Sequence, residues 1–302
     1  MTLSDKLLHL RAPVSIYKAK DTSSIVCCPV CRNTLTSSQE GYHCEVDGAF
    51  NIDVSGRPIL ITQALYKESS EEHVSGVNWL KSFFKQFPKV YYLIWHIFCP
   101  VLMVQNGPRK ILKLLPPKGV VLDIGSGPER LGEEFINVDI FPFPEVDIVA
   151  DAERLPFKDA SIDGIVTETV LEHVPNPAKM VEEMERVLKR GGILYASVPF
   201  IHPYHASPDD FHRWTISGLK ELCKEFEIIE TGVRSGPWSA FLMFLAYWLG
   251  IVFSFGSRRL APFLAHVFML VLGPLKLLDL LFAQLPGAEA VAAVIYVVGK
   301  KK

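Results

Sequence analysis

A chain of 302 residues has room for one large domain or two smaller ones. Its 31 lysines and arginines against 33 acids leave a net charge of −2, which excludes bulk electrostatic attraction to nucleic acid. Six cysteines are too few for a disulfide scaffold, and three of them cluster as Cys27, Cys28 and Cys31, so a reducing, cytoplasmic setting is expected.

Residues 1–24 read as a loose arm. Asp5, Lys6, His9 and Arg11 interrupt any apolar leader core, so no secretory signal is expected there. Residues 25–64 hold Cys28-Pro29-Val30-Cys31 and, further on, His43-Cys44-Glu45-Val46-Asp47-Gly48. Two cysteines two residues apart form a knuckle that grips one face of a tetrahedral zinc. Asp47 stands where a fourth cysteine would close the site, and zinc accepts carboxylate oxygen, so Cys28, Cys31, Cys44 and Asp47 are the candidate ligands, with His43 as a substitute. The other reading is a ribbon without metal, held by a small apolar core. A metal here would be structural, because so small a hairpin cannot bury enough surface alone.

Residues 65–117 form a linker. The polar stretch 65–82 with scattered apolar residues is expected to be helical. Val90–Val104 is almost wholly apolar, too short to span a bilayer comfortably, and bent by Pro100. It either packs as a buried helix or lies on a membrane surface.

Residues 118–236 carry the organising stretch, Val120-Val121-Leu122-Asp123-Ile124-Gly125-Ser126-Gly127-Pro128. An apolar run that stops at an acid and turns through two glycines reads as a buried parallel strand opening into a tight loop. Further strands are expected near 136–140, 146–150, 162–167, 192–199 and 227–233. The second ends in Asp139, whose carboxylate can accept both hydroxyls of a ribose. A helix is expected over 177–189 from the spacing of Met180, Val181, Met184, Val187 and Leu188, with Gly191-Gly192 as its stop. Another is expected over 215–226, N-capped by Thr215. Residues 237–288 interrupt the alternation with two uncharged runs, Trp238–Phe255 and Leu260–Leu275, separated by Arg258-Arg259. Residues 289–302 hold a β-branched run that reads as a final edge or hairpin strand.

The order of these motifs, over Lys118 to Glu230, resembles the class I S-adenosylmethionine (SAM) dependent methyltransferases of the type 11 group, which includes quinone-pathway enzymes. The resemblance implies an α/β fold with a Rossmann-like seven-stranded sheet, here with a small N-terminal ribbon and an apolar helical insertion before the last strand. It implies SAM as cofactor. Asp123, Gly125 and Gly127 match the loop that holds its amino-acid part, Asp139 the ribose acid, and Asp151 and Ala152 the pair beside the adenine. The interval from Gly127 to Asp139 is shorter than the family norm, so the first helix is expected to be clipped. The N-terminal segment, with its closing Gly48-Ala49-Phe50-Asn51-Ile52, resembles the zinc ribbon attached to some methyltransferases.

Methyl transfer from a sulfonium is an in-line displacement that needs alignment and exclusion of water, and a base where the acceptor must lose a proton. Acceptor contacts are expected from loops beyond the carboxyl ends of the central strands. The stretch Pro199–Trp214 holds His202, His205 and His212 with Asp209 and Asp210. There His205 with Asp209 or Asp210 is a candidate base with its orienting partner. The alternative is a polar capping loop in which Arg213 pairs with an aspartate. After the preceding strand, Glu168, Glu172 and His173 are candidates, with His173 as a second base. The function expected is therefore methyl transfer to a small-molecule or lipid-like acceptor (a quinone precursor, lipid or lipid-linked sugar) by a cytoplasmic protein peripheral to a membrane. Two other readings stand beside it. One is a soluble methyltransferase with an apolar lid. The other is a non-catalytic binding or scaffold protein on the same fold.

Overall fold

The computed structural model describes residues 22–38, 41–53, 55–62, 65, 97–104, 107–205 and 209–302. Residues 1–21 of the expected arm over 1–24 and residues 66–82 of the expected helical stretch over 65–82 lie outside the described residues, as does 90–96.

Three short antiparallel strands form the ribbon: β1 (Thr36–Ser38), β2 (Gly41–Cys44) and β3 (Gly48–Asn51). The ribbon is joined to the rest of the chain by backbone hydrogen bonds. Cys27 N–H donates to Pro156 O and Lys158 N–H to Ile25 O, each at 2.9 Å. Leu60 N–H donates to Val149 O (2.8 Å), and Val149 N–H to Pro58 O (2.9 Å), so residues 58–60 add a short edge to the large sheet. Cys44, Phe50 and Leu60 lie in the same buried cluster as Leu122, Ile148 and Phe157. A hairpin too small to hold a core of its own thus shares its neighbour's.

The large sheet has seven strands: β4 (Val121–Ile124), β5 (Phe135–Asp139), β6 (Ile148–Val149), β7 (Ile162–Glu168), β8 (Leu188–Pro199), β9 (Phe226–Ser235) and β10 (Val294–Lys301), in the order β6-β5-β4-β7-β8-β10-β9. The pairs β4–β5, β5–β6, β4–β7 and β7–β8 are parallel. β10 runs antiparallel to both β8 and β9. The strand order reverses between β4 and β7, and the crevice beyond their carboxyl ends is where such sheets bind ligands. β10 pairs with β9 but is not an edge strand. Val294 to Val298 are all buried, as an unbroken apolar run requires of a strand covered on both faces.

Helix α1 (Pro177–Val187) starts where Asn176 Oδ1 accepts the Lys179 N–H at 3.2 Å, and it buries Met180, Val181, Met184 and Val187. It stops before the expected glycines, because Leu188 already opens β8. Helix α2 (Ile216–Leu222) is capped by Thr215 Oγ1, which accepts the Gly218 N–H at 3.1 Å. It ends short of Phe226, which is buried at the start of β9. Between β4 and β5 the clipping is complete, and residues 125–134 contain no helix.

The insertion folds into α3 (Pro237–Phe253), α4 (Leu260–Leu272) and, after a 3-10 stretch, α5 (Asp279–Phe282). From Leu260 to Phe282 the helical path is 23 residues, long and apolar enough to cross a membrane by length and composition. Helices α3 and α4 meet through Ala246, Gly250, Ala265 and the methionines Met243 and Met269. A Cβ on Gly250 would lie 2.7 Å from both Ala261 O and Ala265 N, so the two backbones touch. Asp279 is fully buried and accepts the N–H groups of Trp238 (2.9 Å) and Ser239 (2.8 Å) at the start of α3. The apolar stretch before the core departs from the expected buried helix in its described part. Only Ile97 and Phe98 are helical; Pro100 ends the helix, and the chain continues alongside β9, with Val104 N–H donating to Arg234 O (2.8 Å) and Leu102 N–H to Ser239 Oγ (3.0 Å).

Candidate active site

The turn after β4 is fixed by its glycines. Gly125 and Gly127 have φ of +72° and +62°, a conformation that side-chain-bearing residues rarely adopt. The N–H groups of Gly125 and Ser126 both donate to Val138 O (2.8 and 3.2 Å), and the Gly127 N–H donates to Asp139 Oδ2 (2.8 Å). Asp139 Oδ1 accepts from Phe141 N–H at 2.9 Å. The acid at the end of β5 therefore ties down the glycine loop. Asp123 is buried behind this loop. Burial pushes its carboxyl up to about 8, and the neighbouring Glu168 and Asp139 charges add to the shift. Burial also raises Asp139, against the N–H groups of Phe141 and Gly127 that favour its ionised form. Asp151 and Ala152 follow β6. Asp151 lines a cavity of about 300 Å³ whose other walls include Pro29, Val30, Leu60, Ile61 and Arg154, so the ribbon closes one side of the space next to the expected adenine end.

Sequence reasoning missed what replaces the first helix. Arg130, in the loop between β4 and β5, donates to Phe135 O (3.1 Å), Glu145 O (2.8 Å) and both oxygens of Asp147 (2.8 and 3.1 Å). These bonds fix the loop over the first two strands without a helix. Glu168 was a loose candidate. It is held by Arg234, with Nε 2.6 Å from its Oε1, and so orders the end of β7 against β9.

The loops after β7 and β8 close on each other, with the Phe211 N–H donating to Glu172 O at 2.7 Å. His173 and His205 come together, ring centroids 5.0 Å apart, and His202 packs edge-on to His205 at 4.5 Å. The orienting carboxylate of His205 is Asp210, whose Oδ2 lies 3.2 Å from Nδ1 and accepts the His205 N–H at 2.9 Å. Asp209 enters instead through its backbone oxygen, which faces His173 Nδ1. Burial opposes ionisation of Asp210, but the paired Arg213 guanidinium and the His205 N–H hold it well below the usual carboxylate range. Burial, and then His205, push His202 down to about 4, leaving it neutral near pH 7. The capping reading of Arg213 and the base-and-partner reading of His205 thus describe one network.

The four expected ribbon ligands also converge. Cys28 Sγ is 3.2 Å from Asp47 Oδ2, Cys31 Sγ is 3.4 Å from Cys44 Sγ, and Cys44 Sγ is 3.6 Å from Asp47 Oδ2. All four atoms lie within 4.8 Å of one another, which suits a single tetrahedral ion with sulfur and oxygen ligands. His43 is exposed on β2 and outside this group.

Residues 122–196 match a family model described as a methyltransferase domain. An uncharacterised protein of Methanocaldococcus jannaschii is 45% identical over 101 residues, covering 30% of this chain and 49% of the relative. An uncharacterised methyltransferase of Mycobacterium sp. is 33% identical over 112 residues, covering 32% of this chain and 44% of the relative. The chain spans about half or less of these relatives. Among solved structures, the Haemonchus contortus phosphoethanolamine N-methyltransferase 2 in complex with SAM aligns with a TM-score of 0.41 at 15% identity, over 65% of this chain and 52% of that one. Residues 122–196 are thus similar to a methyltransferase domain, and they lie within the seven-stranded sheet described above.

Proposed function

We propose that this chain is a SAM-dependent methyltransferase that acts on an apolar acceptor held at a membrane surface. The observation that carries the methyl-transfer half is the left-handed Gly125–Gly127 turn, set against the buried acids Asp123 and Asp139, at the carboxyl ends of strands beside the β4/β7 reversal. In this reading Asp123, Gly125 and Gly127 hold the amino-acid part of the cofactor, Asp139 the ribose, and Asp151 and Ala152 border the adenine. SAM supplies the electrophilic methyl group. The chain's own residues align the acceptor, exclude water and, through His205 held by Asp210, accept a proton from it. Support for an apolar acceptor comes from the exposed apolar outer faces of α3 and α4. All six cysteines are free, which fits a reducing, cytoplasmic location at the membrane's inner surface.

The test is transfer itself. Purified chain incubated with methyl-labelled SAM and a total membrane lipid extract is expected to deliver label to the organic phase, and calorimetry to show S-adenosylhomocysteine binding. A folded protein that binds no S-adenosylhomocysteine would leave the scaffold reading in its place.

The ribbon residues Cys28, Cys31, Cys44 and Asp47 fit a structural zinc, which would stiffen the knuckle that walls the cavity at Asp151. Elemental analysis is expected to show that Cys28→Ser with Cys31→Ser lowers the zinc content by about one ion per chain. Unchanged zinc in that variant removes the ribbon as a site.

A further inference from the structure

The loop after β7 holds a carboxylate that the cofactor reading does not use. Glu172 is fully buried, and among the described residues neither of its oxygens has a hydrogen-bond partner. An acid so placed is costly unless something of opposite charge meets it. Two ring nitrogens face it: His173 Nε2 and His205 Nε2 lie 3.8 and 3.7 Å from Glu172 Oε1. These separations are too long for hydrogen bonds. They are near what two ligands of one ion would show, with metal–ligand distances of about 2.0–2.2 Å and a small contraction on binding. One ligand atom from each of the three residues lies within 4.8 Å of the others.

The far side of each imidazole is already engaged. His173 Nδ1 faces the backbone oxygen of Asp209. His205 Nδ1 is 3.2 Å from Asp210 Oδ2; the Arg213 guanidinium is 3.3 Å from the same nitrogen but is committed to Asp210. At His173 the carbonyl of Asp209 places the hydrogen on Nδ1 and leaves the Nε2 lone pair toward Glu172; metal binding at His205 requires its Nδ1–H to turn to Asp210 Oδ2 in place of accepting from Arg213. A carboxylate or carbonyl behind a histidine is the usual support of a metal-binding imidazole. Two imidazoles and one carboxylate, partly open on the histidine side, form a donor set suited to divalent transition metals.

We propose that Glu172, His173 and His205 bind one divalent transition-metal ion at the mouth of the acceptor site, separate from the ribbon ligands. Three protein ligands leave coordination positions open, and an oxygen of the acceptor can fill one of them; with His205 Nε2 on the ion, the ion takes over from His205 the activation of that oxygen. That role rests on the methyltransferase reading; the site itself does not.

The experiment is a zinc count on the full chain after chelator stripping and reloading with excess zinc, by native mass spectrometry. Wild type is compared with Glu172→Gln, with His205→Asn, and with Cys28→Ser/Cys31→Ser. Whatever the ribbon holds, Glu172→Gln and His205→Asn are each expected to bind one ion fewer than wild type, and the cysteine variant to keep the ion they lose. Asp210→Asn, which leaves all three ligands in place, is expected to weaken zinc at this site about 10- to 100-fold. Thermal melting without metal verifies that each variant is folded, and a folded His205→Asn decides the matter if Glu172→Gln is not. Wild-type zinc content in the folded variants, or loss of all zinc in the cysteine variant, overturns the proposal.

Discussion

Gly125→Arg is expected to raise the dissociation constant for S-adenosylhomocysteine at least about a hundredfold, a loss of ~2.7 kcal/mol. Two independent features of Gly125 lead there. Its φ of +72° costs a side-chain-bearing residue about 1–2 kcal/mol. A Cβ would also lie 2.3 Å from Val170 Cγ2 and 2.8 Å from Cγ1, so any side chain pushes the turn after β4 away from the loop after β7. The Gly125 and Ser126 N–H bonds to Val138 O would be strained with it, and the groups expected to hold the cofactor's amino-acid end would lose their alignment. Gly127 separates a blocked ligand from a distorted protein. Its φ is +62°, but a Cβ there meets nothing within 4 Å. Gly127→Val therefore clashes with nothing but bears left-handed strain of the same kind, so loss of binding in that variant reports on the room the ligand needs where thermal melting shows a wild-type fold. Calorimetry on both variants, with circular dichroism and thermal melting as checks of folding, gives the answer. Binding within threefold of wild type in a folded Gly125→Arg would remove the turn from the cofactor site.

The parallel half of the sheet was legible because burial on both faces leaves apolar runs in the sequence, and all of them but β8, which ends at Pro199, stop at a glycine or an acid. The place of β10 was not. The same run over 290–298 fits an edge or the middle of a sheet, and only its long-range pairing with β8 and β9 decides. The role of Arg130 was not legible either. Its partners, Glu145 and Asp147, come from the next loop, and spacing carries no sign of that bond. The helix expected over 90–104 rested on apolarity alone. In the described part, pairing of 102–104 with the end of β9 and the start of α3 overrides it. The histidine cluster was half visible. Three histidines in one proline-rich loop suggested chemistry, but the group they converge on comes from a different loop. Glu172 and His173 occupy a short turn whose sequence is equally consistent with packing. It takes the Phe211–Glu172 backbone bond to bring the two loops into one site.

Replacing residues 238–285 by a short Gly/Ser linker is expected to abolish flotation of the protein with liposomes that contain anionic lipid, while the whole chain floats. Along α3 the residues Phe241, Phe244, Trp248, Ile251 and Val252 are between 46% and 64% exposed, at the spacing of one helical face. On α4, Phe263, Val267, Leu270 and Val271 repeat the pattern, and Leu277, Leu280, Leu281 and Leu285 carry it onward. A contiguous apolar surface of this kind marks a contact with a partner or a membrane. The inner faces favour lipid. The helices meet through Ala246, Gly250 and Ala265, the close small-residue contact typical of helices packed in a membrane. Both ends of the insertion enter one sheet, through β9 and β10, so the hairpin must return to the side it left. Helices lying in the interface satisfy this. They sink the aromatic and leucine faces among the acyl chains and leave Arg258 and Arg259, exposed in the turn between α3 and α4, at the level of the headgroups. The base of α3 also lies beside the proposed acceptor loop: Ala240 packs with Ile201, Ala293 and Val294. A membrane-held acceptor would then meet the His205 side of the cleft without leaving the bilayer surface. A lid that only covers a soluble acceptor predicts a different result, with the whole chain staying at the bottom of the gradient and monodisperse without detergent. That outcome would end the membrane reading. Trp248→Asp with Phe244→Asp gives an independent check that keeps the hairpin, since two charges on the outer face of α3 should release the protein from the vesicles while leaving the contacts of Gly250 and Ala265 in place.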